Sequence, residues 1–251
     1  MIKKLGLQLF TIRDSMKDAE TIRESFRRMK ELGYDVAQTA GCSIPYDEFG
    51  RIAAEEGIEI CGTHDNFNMM YEDTEKAIAL HKALGSVHMG MSGFKIVDAD
   101  AVAQFIEKAN KVANIIYEHG FKFTYHNHGH EFITLANGKT SMDMLVEGLD
   151  PVKTSFCLDT YWVQNAGGDV RHWIEKLSGR IDILHLKDMG RNAEGPFITE
   201  IGNGNMWWEG IIASAEKAGV EYYVVEQDQC PGDQFESVAK SSEYIHQNFM
   251  I

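Results

Sequence analysis

A chain of 251 residues with 44% hydrophobic and 25% charged side chains has the composition of a soluble globular protein, and its length suits one (β/α)8 barrel. Its 38 acidic against 24 basic residues give a formal charge of -14, which argues against a long polyanionic partner, because nucleic-acid binding draws on lysine and arginine against phosphates. No run of about 20 apolar residues is present to cross a bilayer, and Met1-Ile2-Lys3-Lys4-Leu5 leads into a strand-like run rather than a secretory signal, so a cytoplasmic location is expected.

In chain order, Leu5 to Phe10 reads as a buried strand, and Asp18 then caps a helix whose apolar positions Ile22, Phe26, Met29 and Leu32 follow helical spacing up to Gly33. The pattern repeats as strand 34 to 40, helix 46 to 56, strand 58 to 64, helix 73 to 84 and strand 86 to 91. The next helix, with Asp100 as its expected cap, carries Val102, Phe105, Ile106, Ala109, Val112, Ala113 and Ile116 on one face and closes at Gly120. Strand 121 to 128 follows, then helix 141 to 148, strand 152 to 159, helix 170 to 177, strand 181 to 187, helix 207 to 218, strand 222 to 226 and helix 234 to 248. Eight apolar strands alternating with eight helices predict a parallel sheet covered by helices and closed into a single (β/α)8 domain over 1–251. No G-x-G-x-x-G follows the first strand, which weighs against a dinucleotide fold, and Cys42, Cys61, Cys157 and Cys230 form no C-x-x-C pair.

In such a barrel the C-terminal strand ends surround the active site. Alternate residues there give Gln8, Gln38, His64, His88, His126 and His128, Asp159, His185 and Lys187, and Glu226 and Asp228. The densest stretch is Tyr125-His126-Asn127-His128-Gly129-His130-Glu131-Phe132, with three imidazoles and a carboxylate in eight positions. Imidazole and carboxylate are ligands for borderline divalent cations and are also the common acids and bases. Asp159, His185 and Glu226 each follow an apolar strand, and Glu131 just beyond the cluster strand would complete three carboxylates and an imidazole. That set suits manganese, cobalt or magnesium, with zinc as an alternative, and is unlike a thiolate structural zinc site.

Tyr125-His126-Asn127-His128 with Glu131-Phe132, Leu158-Asp159-Thr160-Tyr161-Trp162-Val163, Leu184-His185-Leu186-Lys187-Asp188, Ile201-Gly202-Asn203-Gly204 and Val225-Glu226-Gln227-Asp228 resemble the sugar phosphate isomerase/epimerase family. This is a family of xylose isomerase-like TIM barrels that includes ketose 3-epimerases and inosose dehydratases, and the resemblance runs along the whole chain. It implies one divalent metal ion, manganese by preference, held by Glu, Asp, His and Glu, which fall on Glu131, Asp159, His185 and Glu226. Many epimerases of the family carry the first glutamate in a Glu-Pro dipeptide on the fifth strand. This chain has Thr124-Tyr125 there, so His126 and His128 stand as substitutes for Glu131.

The activity implied is that of a sugar isomerase or epimerase working through a metal-stabilised enediolate. Glu131 and Glu226 are then the acid/base pair, and Lys187 steadies the enediolate or protonates a leaving oxygen. His64 and His126 are expected to contact substrate hydroxyls, and Trp162 to wall the sugar face. A lyase or dehydratase eliminating from a keto-sugar or keto-glycoside is the nearest alternative. An apurinic endonuclease would need a basic surface and more ligands, and a non-catalytic subunit would not need the intact ligand set. The partner expected is a small sugar or keto-sugar, with neither nucleic acid nor membrane, and symmetric self-association into a homo-oligomer fits the common pattern of soluble enzymes.

Overall fold

The computed structural model describes all residues from 1 to 251. Eight parallel strands build the barrel: β1 (Leu5–Gln8), β2 (Tyr34–Thr39), β3 (Glu59–Thr63), β4 (His88–Ser92), β5 (Lys122–His126), β6 (Thr154–Asp159), β7 (Ile181–Leu186) and, after a hairpin of β8 (Asp188–Asn192) and β9 (Gly195–Thr199), β10 (Tyr222–Val225). Their order is β3-β2-β1-β10-β7-β6-β5-β4. The strands are buried almost throughout, as their near-continuous apolar sequences require when side chains pack both into the barrel and against helices.

The ring closes between β3 and β4 without a regular ladder. There the Asp65 N–H donates to the Gly90 carbonyl at 2.9 Å and the Gly90 N–H donates to Thr63 Oγ1 at 3.2 Å. A Cβ at Gly90 would lie 2.2 Å from the Thr63 carbonyl oxygen, so only glycine lets the two edges approach.

The layer around the barrel consists of α1 (Ala19–Glu31), α2 (Tyr46–Glu55), α3 (Phe67–Glu72), α4 (Thr74–Leu84), α5 (Ala99–Glu118), α6 (Ser141–Gly148), α7 (Thr160–Asn165), α8 (Val170–Lys176), α9 (Trp208–Ala218) and α10 (Gln234–Asn248). Asp18 caps α1 through the Thr21 N–H at 2.9 Å, and Gly33 follows its end at φ +83°. The cap of α5 is Asp98, which accepts from the Ala101 N–H at 2.8 Å, rather than Asp100. The first strand stops at Gln8, because Gln8 turns its side-chain oxygen onto the Phe10 N–H and opens the 3-10 segment Leu9–Ser15. No helix is long and apolar enough to cross a membrane.

His88 was expected at the mouth and instead opens β4 at the N-terminal floor of the barrel. Its Nε2 lies 2.9 Å from Asp182 Oδ2 and its Nδ1 lies 2.7 Å from the Cys61 carbonyl oxygen. Lys122 donates to the same Asp182 carboxylate at 2.9 Å, and the Asp182 N–H donates to Ser155 Oγ at 2.8 Å. Strand β4 begins later than the pattern suggested, which puts His88 at the start of the strand instead of near its end.

Candidate metal centre at the barrel mouth

Four strands deliver one ligand-type side chain each to the opposite end. His126 and Asp159 are the last residues of β5 and β6, His185 lies near the end of β7, and Glu226 follows β10 directly. Their ligand atoms all lie within 4.8 Å of one another. His126 Nε2 is 3.4 Å from Asp159 Oδ2 and 3.8 Å from Glu226 Oε2. His185 Nδ1 is 3.8 Å from Asp159 Oδ2 and 2.8 Å from Glu226 Oε2.

Neighbouring groups fix these side chains. Asp159 doubles as the N-cap of α7, where its Oδ1 accepts from the Trp162 N–H at 3.0 Å and leaves Oδ2 turned to the centre. Asn127 Oδ1 accepts from the Asp159 N–H at 3.0 Å. Gln38 Oε1 receives a short hydrogen bond from His185 Nε2 and a second from Gln8 Nε2 at 3.0 Å, which turns His185 Nδ1 towards the carboxylates. Such outer partners set ring orientation and tautomer at metal centres.

Charge is concentrated here. Lys187, on the same face of its strand segment as His185, places Nζ 3.2 Å from Asp159 Oδ2, 3.0 Å from Glu226 Oε2 and 2.9 Å from Asp228 Oδ1. Burial works against ionisation of Asp159 and Glu226, but the Lys187 ammonium outweighs it and holds both below the usual carboxylate range. Burial likewise opposes the Lys187 charge, and the facing carboxylates, Asp159 first, raise its pKa instead. Asp228 is shifted the other way, upward, by burial and by the charge of Glu226. Three carboxylates against one ammonium leave two negative charges, and two imidazoles complete a nitrogen–oxygen donor set of the kind divalent manganese, cobalt and zinc accept. The residues present therefore fit such an ion.

A model of the xylose isomerase-like TIM barrel family matches residues 26–246. The chain belongs to that family. Among relatives of this xylose isomerase-like barrel, an inosose dehydratase of Geobacillus thermodenitrificans is 26% identical over 217 residues, spanning 77% of this chain and 71% of that protein. A sugar phosphate isomerase/epimerase from Parabacteroides distasonis has the same fold, with a TM-score of 0.86 at 24% identity over 98% of this chain and 94% of the other. The IOLI protein, solved with a bound zinc atom, has a TM-score of 0.72 at 13% identity over 97% and 95% of the two chains.

In this xylose isomerase-like barrel the side chain gathered with Asp159, His185 and Glu226 is His126, and Glu131 is not brought to them. The Glu131 carboxylate is fully buried in the turn after β5, where Oε1 accepts from the Tyr125 hydroxyl and Oε2 from the His128 N–H, both at 2.8 Å. His64 reaches the mouth, its two ring nitrogens 3.3 and 3.2 Å from Gln8 Nε2 and Gln38 Nε2. Burial and the neighbouring His126 and His185 push its pKa well down. Trp162 stands beside the centre with Lys187 Nζ 5.4 Å from its ring, and its indole Nε1 is buried without a partner.

A cavity of about 300 Å³ opens over these groups, lined by Phe10, Ala40, His64, Ser92, His126, His128, Lys187, Glu226 and Asp228. His126 Nδ1 and His128 Nδ1 are also buried without partners. The sequence reading gave no role to Asp228, or to Gln8 and Gln38 as orienting groups. Their position at strand ends was the available signal, but what each one touches depends on strands far away in the chain.

Proposed function

We propose that this chain is a divalent-metal-dependent enzyme that removes a proton from the carbon beside the carbonyl of a ketose or keto-sugar, with epimerisation or isomerisation as the outcome. The observation that carries this reading is the convergence of His126, Asp159, His185 and Glu226 with the Lys187 ammonium on one small polar cavity. His126, Asp159, His185 and Glu226 would hold the ion, which when bound supplies Lewis acidity to polarise a substrate carbonyl. Zinc in the related IOLI protein and the mixed donor set leave manganese, cobalt and zinc as the ions to load first.

The chain's own groups do the rest. Glu226 commits Oε2 to His185 and Lys187, so Oε1 is the oxygen able to take the proton. Lys187 stays protonated and stabilises the negative oxygen of an enediolate rather than acting as a base. Asp228, whose pKa is raised by burial and by Glu226, lines the same cavity and is placed to exchange a proton with a substrate oxygen directly, while Lys187 holds its carboxylate in position. The unpartnered nitrogens of His126 and Trp162 supply hydrogen-bond partners for sugar hydroxyls.

Elimination from a keto-sugar is a second reading with a specific observation behind it. Glu131, expected to face Glu226 across the substrate, is held by Tyr125 and His128 and does not line the cavity, whose second carboxylate is Asp228, on the same side as Glu226 through their shared Lys187. The inosose dehydratase relative points the same way. Proton NMR of ketoses and keto-sugars incubated with manganese-loaded protein in deuterated water separates the outcomes. Deuterium incorporated with every oxygen retained supports epimerisation or isomerisation, and loss of water or of a glycosidic oxygen supports elimination. No exchange at any carbon beside a carbonyl would sink both.

A further inference from the structure

Beside the mouth lies a second group of ligand-type side chains that the proposed mechanism does not use. His128, His130 and Glu131 present ligand atoms within 4.8 Å of one another, at the loop that leaves β5. His130 Nε2 is 3.2 Å from Glu131 Oε1, and the His128 and His130 rings stack with centroids 5.4 Å apart. Glu131 is fully buried, and its only ion-pair partner is His130, whose side chain is 44% exposed. A buried carboxylate without a firm cationic partner is costly unless it is paired or coordinates a cation.

Two further observations point to an ion. His128 Nδ1 is buried and has no hydrogen-bond partner. Gly93, across the gap on the loop after β4, has no side chain, and a Cβ built there would sit 3.1 Å from His128 Nδ1 and 3.2 Å from Glu131 Oε1. Both ligand atoms therefore face one small space that glycine keeps open. Glu131 is held in position by the Tyr125 hydroxyl and the His128 N–H, the kind of support that ligating carboxylates receive. A cavity of about 540 Å³ lined by Gly93, Lys95, His130 and Ile133 lies beside the group.

We propose that His128, His130 and Glu131 form a second cation site, separate from the His126, Asp159, His185 and Glu226 set, which takes a zinc-class ion with water completing its coordination. Two imidazoles and one carboxylate with open positions is a donor set that zinc accepts. The site does not depend on the proposed reaction, because it shares no ligand with the first set.

Equilibrium dialysis against zinc, followed by elemental analysis, tests it on the whole chain. Wild-type protein is expected to bind two zinc ions per chain, His130→Ala one, and Asp159→Asn one. His130 is half-exposed, so its removal leaves the fold intact, and the His130→Ala protein is checked by its circular dichroism. One ion in wild type that His130→Ala loses and Asp159→Asn keeps would support this site and overturn the first. Equal stoichiometry in wild type and His130→Ala, at either one or two ions, would overturn the second site whatever happens at the first.

Discussion

The two ends of this barrel carry similar residues and use them differently. At the floor, His88, Asp182, Lys122 and Ser155 form a buried network in which every polar side-chain atom finds a partner. At the mouth, His126, His128 and Trp162 each keep a buried nitrogen without one, and a single ammonium serves three carboxylates. Polar groups that satisfy one another hold strands together. Groups that cannot do so within the chain are directed at something outside it.

The largest effect is expected at the mouth. Asp159→Asn should abolish ion binding at the first set and lower kcat by about 1,000-fold, measured as deuterium exchange into a substrate found by the NMR screen. Its thermal midpoint should stay within a few degrees of wild type. A collapse of the fold in this variant would show that the mouth holds the barrel together as the floor does.

The floor should behave in the opposite way. Asp182→Asn leaves Lys122 without its counter-charge and weakens the hydrogen bond to His88, and a loss of roughly 2–3 kcal/mol is expected in urea unfolding, below the ~3–5 kcal/mol of a fully buried pair because Lys122 reaches solvent. Ion stoichiometry and kcat should not change. An altered kcat with unaltered stability would erase the distinction between the two ends.

Acid should separate the ends more finely. Burial, with help from His126, pushes the His128 pKa down to about 3. In the unfolded chain it is about 6.5. Between those values the unfolded state binds the extra proton, so stability falls as pH drops below about 6.5, by up to about 1.4 kcal/mol per pH unit. Asp182 titrates later. Burial opposes its charge but His88 and Lys122 outweigh it, so its folded pKa is below the unfolded value, and its contribution is lost only as pH falls below about 4. Thermal midpoints against pH, taken with chelator present, should show a shallower first slope in His128→Gln, with His64 supplying the remainder, and a shallower second slope in Asp182→Asn. Both variants flattening the same window would break the assignment.

Much of this was legible in the sequence because periodicity reports burial. The eight strands and the helices between them came from apolar spacing and caps, and the ends agree to within a few residues. Short elements without a full period were not legible: α3, α7, the β8–β9 hairpin and the 3-10 segment after Gln8. In the case of α7 the helix starts on Asp159 itself, so one carboxylate serves as cap and as site residue. Asp159, His185 and Glu226 could be read because a strand delivers them, and a strand fixes the direction of its side chains. Glu131 and His88 could not be read with the same certainty. What holds their side chains, the Tyr125 hydroxyl on Glu131 and the Asp182 carboxylate on His88, follows from tertiary contacts that periodicity does not report.

The seam between β3 and β4 gives the barrel a mechanical character. With seven laddered joints and one irregular one, it is a split ring rather than a hoop. A hoop widens only by straining its whole circumference, whereas a split ring parts at its clasp. His64 and Ser92 sit at the two sides of that clasp and line the cavity at the mouth, so the bore of that cavity is set at the one joint without a regular ladder. A relative with a residue other than glycine at position 90 would have to spread this clasp, and would hold its mouth at a different calibre.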